Sequence, residues 1–243
     1  MSSEFVEMAP RPRVRAILVA AMGQEIRPFC NRATDLGEIH RVGSAKMQQG
    51  RIEGVDVVLV RCGIGLVNSA SAVVSALHRW DPDLVISVGS AGGLEGKVER
   101  GDVVVCTDAA YSTADAVAFG YEMGQVPGMP ARFTCDPESV RALEGLPRVV
   151  TGPIASGDVF VSGYLLDSVL FEFPDTVAVD METAAIAQVC HSFEVPFVSV
   201  RGISDMCGQD ASAEHDTNLD DVSENSAATV VNLLTRKTAD LGV

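Results

Sequence analysis

Four short stretches carry residues that can move a proton or hold a charge, and each follows an apolar run. Glu25 lies in "AMGQEI" (21–26). Ser90 lies in "GSAGG" (89–93). Asp180 and Glu182 lie in "DMET" (180–183). Arg201, Ser204 and Asp205 lie in "VRGISD" (200–205). Each has an ordinary reading. Glu25 and Glu182 suit helix N-termini, where the macrodipole favours acids. Ser204 and Asp205 suit a capped turn. Together they suit cleavage at an acetal-like carbon, which needs an acid for the leaving group and a base for water. The transition state resembles an oxocarbenium ion, which nearby carboxylates favour. In a purine nucleoside the leaving base can be protonated at N7. A single carboxylate such as Glu182 can accept from both ribose hydroxyls.

Other chemistries lack their parts. "GIGLVN" (63–68) offers half a dinucleotide fingerprint, with Asn68 in place of the third glycine. "GSAGGLEGK" (89–97) fails as a phosphate loop: Ala91 stands five residues before Gly96, and Val98 stands where a magnesium-holding hydroxyl belongs. Val88 two residues before Ser90 excludes a nucleophile elbow. His40, His78, His191 and His215 have no metal-ligand spacing, and Cys190 and His191 point to different faces of a helix.

Positioning the four stretches requires strands that end together. Near-continuous Val/Ile/Leu runs predict strands at 14–20, 55–61, 84–88, 102–107, 149–154, 176–179 and 195–200, buried on both faces. Helices are predicted at 24–31, 65–79, 163–171, 181–193 and 219–235. Over 181–193, Ile186, Val189, Cys190 and Phe193 form the apolar stripe. This order predicts a single α/β domain over 13–243, with a central mixed, mostly parallel sheet flanked by helices. Residues 1–12 read as a flexible tail. In such sheets ligands sit beyond the carboxyl ends of the strands. Residues 111–135 read as a long aromatic loop, functional or covered by a partner.

The net charge of −15 makes nucleic acid and anionic membranes poor partners. No stretch has the length of a membrane span. Six cysteines without a CxxC pair suggest reduced, mostly buried thiols in a cytoplasmic protein.

Seven motifs, in order along the chain, carry a family resemblance: "AMGQEI" (21–26), "CGIGLVNSA" (62–70), "VGSAGGL" (88–94), "AFGYEMGQVPG" (118–128), "SGDVFV" (156–161), "VDMETAAIAQVCH" (179–191) and "VRGISD" (200–205). Together they resemble the 5′-methylthioadenosine/S-adenosylhomocysteine nucleosidases of the nucleoside phosphorylase superfamily. The resemblance implies a nucleoside phosphorylase-like fold and hydrolysis of both nucleosides to adenine and a thioribose. Asp205 would protonate adenine N7 and accept from the N6 amine, positioned by Ser204. Glu25 would be the base, holding water with Arg201 and Ser90. Glu182 would bind the ribose hydroxyls, with Met181 against the sugar. Phe160 would stack near the base and the Val161 backbone would read its edge. Met22 and Ile64 would line the 5′-alkylthio pocket. Phe119 and Pro127 would reach a neighbouring subunit's pocket in a homodimer. No metal or cofactor is implied.

Two positions depart from the family pattern. Asp180 replaces the usual glutamate and has no assigned role. The segment 206–219 is polar where the family often has a phenylalanine over the 5′ substituent, and His215 is the nearest counterpart. The competing readings are a phosphorylase of the same superfamily, a 6-amino-6-deoxyfutalosine nucleosidase, and a non-catalytic nucleoside-binding protein. The intact set of Glu25, Glu182 and Asp205 argues against the last.

Overall fold

The computed structural model describes residues 10–239. In chain order the elements are β1 (Arg13–Ala20), α1 (Gly23–Arg32), β2 (His40–Val42), β3 (Ala45–Ile52), β4 (Val55–Arg61), α2 (Leu66–Arg79), β5 (Asp81–Gly93), β6 (Val103–Tyr111) and a 3-10 turn at Val117–Phe119. They continue as β7 (Phe133–Thr134), α3 (Pro137–Leu143), β8 (Val149–Ser156), α4 (Tyr164–Glu172), β9 (Ala178–Asp180), α5 (Thr183–Ser192), β10 (Phe197–Asp205) and α6 (Ala211–Ala239). Residues 1–9 of the expected tail lie outside the described residues. Arg11 pairs with Asp81 at 3.2 Å, and the Pro12 carbonyl accepts the Asp81 N–H at 2.9 Å.

The strands form one mixed sheet, as expected for a single α/β domain. Parallel pairing joins β4–β1–β5–β10 and β6–β8–β9, while β9 meets β5 and β6 meets β10 antiparallel. The pairings β5–β10–β6–β8–β9–β5 therefore close a ring, and β1, β4, β3 and β2 extend from it as an open wing. The Val/Ile/Leu runs are the buried centre: Ile17, Val58, Ile86, Val104, Val198 and Val200 are fully covered. On α2 the covered residues are Ser69, Ala72, Val73, Ala76 and Leu77, one stripe at helical spacing.

Several expected boundaries move. β5 runs on through "GSAGG", because β10 pairs with it as far as Gly92; ladder pairing outweighs the weak strand preference of glycine. β10 likewise runs to Asp205, so this acid closes the strand instead of following it. Helix α5 starts at Thr183, leaving Met181 outside and Glu182 as its N-cap. Its buried face uses Thr183, Ala184, Ala185, Ile186, Ala187 and Cys190, whereas Phe193 is exposed. Helix α6 starts at Ala211, so His215 is helical. Both ends of the 111–135 stretch are strand: Tyr111 closes β6, and β7 pairs back onto it. All six cysteines are unpaired, five of them buried. Among the described residues no helix is long and apolar enough to cross a membrane.

Candidate active site

Register decides which polar residues meet. Arg201 pairs with Gly89, Gly202 with Ser90 and Asp205 with Gly92, while Gly92 also pairs with Val179 of β9. The β5–β10 register shifts between Ile203 and Asp205, so Ser204 is the extra residue of a bulge. Bulges re-aim side chains, and Asp205 here faces a pocket. That pocket holds about 590 Å³ of empty space, its open mouth included. Of the expected site residues, Met22, Glu25, Ile64, Ser90, Phe160, Val161, Met181, Glu182 and Asp205 line it, together with Asp180, Val159 and His215. Arg201 and Ser204 lie behind the wall. Phe119 and Pro127 do not line it; both are exposed, Phe119 by 84%.

Glu25 closes the start of its own helix and also lines the pocket. Its Oε2 accepts the N–H groups of Ala21 at 3.0 Å and Met22 at 2.9 Å, closing the first turn of α1. Its Oε1 accepts the Ser90 N–H at 2.9 Å and the Ser90 hydroxyl at 3.0 Å. Four donors on two oxygens fix the carboxylate, and its own residue is only 2% exposed. Gly89 permits this approach: a Cβ there would fall 2.5 Å from Glu25 Oε1 and 2.7 Å from the Arg201 guanidinium.

Glu182 does not cap its own helix with its side chain. Its Oε1 accepts the Gly65 N–H at 2.9 Å, at the start of α2, and its Oε2 lies 3.6 Å from Arg201 Nη1. Burial pushes the Glu182 carboxyl up to about 7, against the pull of Arg201 and with the nearby carboxylates of Asp180 and Glu25 adding to the rise.

Arg201 is 1% exposed. Burial alone would weaken its hold on a proton, but the carboxylates of Asp180, Glu182 and Glu25 outweigh that and raise it. Its Nη2 bridges Asp180 at 2.9 Å, Ser87 at 2.7 Å and Thr183 at 3.2 Å. Its Nη1 has no hydrogen-bond partner among the described residues. Asp180, given no role by sequence, is the anchor. It accepts from the Ser156 hydroxyl at 2.5 Å, from the Thr183 hydroxyl, and from the Thr183 N–H at 3.2 Å. Arg201 is thus a buried cation held between two acids, with one nitrogen free of hydrogen bonds beside Glu25 and Glu182. The D-x-x-T spacing of Asp180 and Thr183 was the available sequence signal, since Asp commonly bonds a backbone N–H three residues on.

Asp205 has one protein donor on each oxygen: the Cys207 N–H at 3.0 Å on Oδ1 and the Ser204 hydroxyl at 2.9 Å on Oδ2. Burial raises its proton affinity, and these two donors oppose that rise without cancelling it. No lysine or arginine is among the described residues of the pocket wall. Arg79 sits beside His40 and Arg100 pairs with Glu214, and neither lines the pocket. No three His, Cys, Asp or Glu side chains among the described residues form a metal-ligand cluster.

Comparison with known proteins gives consistent matches. The Phosphorylase superfamily model matches residues 15–237. A 5′-methylthioadenosine/S-adenosylhomocysteine nucleosidase from Actinobacillus succinogenes is 40% identical over 223 residues, 89% of this chain and 96% of its own. The crystal structure of the Neisseria meningitidis nucleosidase of that name, in complex with methylthio-immucillin-A, is similar with a TM-score of 0.85 and 36% identity, covering 91% of this chain and 99% of that one. A Colwellia psychrerythraea nucleosidase solved with adenine has a TM-score of 0.85 and 34% identity, covering 91% and 95%.

Proposed function

The chain belongs to the 5′-methylthioadenosine/S-adenosylhomocysteine nucleosidase family of the phosphorylase superfamily, and from that premise we propose that it hydrolyses the N-glycosidic bond of both nucleosides without metal or cofactor. The observation that carries this reading is the convergence of Glu25, Glu182 and Asp205, from three separate strand ends, on one pocket.

Burial raises the proton affinity of Asp205, which delivers a proton to adenine N7 as the C1′–N9 bond breaks. Its second oxygen accepts from the 6-amino group. A 6-oxo purine would set an acceptor against an acceptor there, a mismatch that discriminates strongly. Glu25 takes a proton from the water that attacks C1′. The Ser90 hydroxyl fills one Glu25 lone pair in the free protein; turning toward the water, it frees that lone pair and holds the water as well. Arg201 Nη1 supplies a donor beside Glu25 from behind the wall. Glu182 takes the 2′- and 3′-hydroxyls, Met181 packs on the sugar, and Phe160 and Val161 flank the base. Met22 and Ile64 give the 5′ thioether an apolar seat.

A phosphorylase would need cations to hold phosphate, and Arg201, the one buried arginine among the described residues, is already ion-paired with Asp180 and Glu182. The test is a panel of methylthioadenosine, adenosylhomocysteine, aminodeoxyfutalosine and inosine, assayed for free base without phosphate. Release from the first two and none from inosine is expected. Equal release from inosine would overturn the adenine assignment, and faster turnover of aminodeoxyfutalosine would reassign the substrate.

The raised Glu182 carboxyl gives a pH signature. A hydroxyl pair binds an ionised carboxylate best, and this one gains a proton as pH falls through about 7. Affinity for a non-hydrolysable adenosine analogue should therefore drop roughly tenfold per pH unit below that point. Calorimetry should find no such drop for the 2′,3′-dideoxy analogue.

The exposed Phe119 and Pro127 support a homodimer in which this loop completes the partner's pocket. Dilution to monomers, followed by sedimentation and assay in parallel, should abolish turnover; a fully active monomer would refute the shared pocket. Unpaired cysteines throughout support a reducing, cytoplasmic setting.

A further inference from the structure

His215 is an ionisable residue of the pocket wall that the hydrolytic scheme leaves without a part. It stands in the second turn of α6, half-buried, with its ring edge-on to Phe160 at 6.1 Å between centroids. Its Nδ1 lies 3.0 Å from Ser204 Oγ, and that oxygen lies 2.9 Å from Asp205 Oδ2. The Ala91 carbonyl, 3.3 Å away, is the third neighbour of the hydroxyl.

A serine hydroxyl has one proton to give and two lone pairs. Once Asp205 has lost its proton, the hydroxyl serves it by donating to Oδ2. The imidazole then completes the set by donating Nδ1–H to Oγ. The resulting chain, Nδ1–H to Oγ–H to Oδ2, is polarised in one direction, and each link strengthens the next. Its negative end is the carboxylate that proton transfer to the leaving base creates.

We propose that His215 is a positioning residue for the leaving-group acid: acting through Ser204, it orients the Asp205 carboxyl and stabilises the carboxylate formed as the proton departs. This rests on Asp205 being that acid. The charged surroundings are compatible with it. Asp205 faces the ring from β10. Glu214 neighbours it on α6 and is engaged by Arg100 at 2.7 Å, from the segment between β5 and β6. Glu25, Asp180 and Glu182 lie elsewhere on the pocket wall. The Cys207 thiol is pushed up to about 12, mainly by burial, and stays neutral. Positive charge on His215 pulls the Asp205 carboxyl down and Glu214 pushes it up, both less than burial raises it.

The sign of the effect follows. Both the imidazole N–H and any positive charge on the ring favour the Asp205 carboxylate, so removing the ring leaves an acid that holds its proton to higher pH and releases it less readily. The experiment compares pH profiles of kcat/KM for methylthioadenosine hydrolysis in the wild type, His215→Phe, His215→Asn, Ser204→Ala and the His215→Phe/Ser204→Ala pair. Phenylalanine should move the alkaline limb up by about half a pH unit and lower kcat about tenfold. Asparagine, which keeps a donor near the Nδ1 position, should recover most of both. Ser204→Ala should shift the limb in the same direction, and the double variant no further than the larger single one, as expected for residues in one chain. An unmoved limb in His215→Phe, an asparagine variant no better than phenylalanine, or additive shifts in the double variant would overturn the proposal. Asp205→Asn separates the two levels. If it is inactive while His215→Phe leaves the limb in place, the relay alone fails; if it is active, the acid assignment fails.

Discussion

Replacing Asp205 with asparagine is expected to lower kcat roughly 10³-fold while leaving the affinity for adenine nucleosides within a few-fold of the wild type. The local hydrogen bonds survive the change. The amide oxygen can still accept the Cys207 N–H, and the amide nitrogen can donate to Ser204 Oγ, which then turns its own proton to the Ala91 carbonyl. No buried donor is orphaned, so thermal stability should change little. What is lost is a transferable proton at N7. Stopped-flow binding of a nucleoside analogue, alongside steady-state turnover, separates the two effects. Near-normal turnover would remove Asp205 from the acid role.

Replacing Glu25 with glutamine should be comparably severe for turnover, roughly 10³-fold, but different in kind. Glu25 accepts four protein donors, two on each oxygen. An amide NH₂ placed on either side meets donors with a donor. The change should therefore cost about 1–3 kcal/mol of stability in addition to activity, visible as a lower melting temperature. The contrast between the two variants is informative. Asp205 sits in an environment that accepts either protonation pattern, and Glu25 sits in one that demands an acceptor. Activity retained in the Glu25 variant, at any melting temperature, would mean that water is activated elsewhere.

The residues that touch the pocket were the most legible part of the sequence. An acid or serine after a Val/Ile/Leu run is a local signal, and Glu25, Ser90, Glu182 and Asp205 all line the cavity. The parts that depend on distant partners were not legible. Asp180 anchors Arg201 across 21 positions of sequence and through a sheet whose order is not the chain order. Arg201, which the resemblance sets beside the water, does not line the pocket but is buried between two carboxylates, a placement that no local pattern announces. The extent of β5 and β10 was underestimated because "GSAGG" and "RGISD" contain glycine, and pairing between the two strands overrode that local preference. The bulge at Ser204 has no local signature at all.

The β2–β3 wing is hard to read from sequence for another reason. Over Ala45–Ile52 the inward residues Ala45, Met47, Gly50 and Ile52 are separated by Lys46, Gln48, Gln49 and Arg51. That alternation, broken by the adjacent Gln48 and Gln49, is a weaker signal than the continuous apolar runs of the centre. The start of α6 has little sequence signal because Ala211 to Asn218 is mostly polar. Its second turn sets His215 in the pocket wall, within reach of Ser204.

The claim on which the whole scheme depends is that water, activated by Glu25, attacks the sugar carbon. It is tested by running the reaction on methylthioadenosine in phosphate-free buffer made with heavy-oxygen water and analysing the sugar product by mass spectrometry. Sustained release of adenine is expected, with heavy oxygen at C1 of the methylthioribose. Turnover that requires added phosphate and yields a sugar 1-phosphate would contradict it.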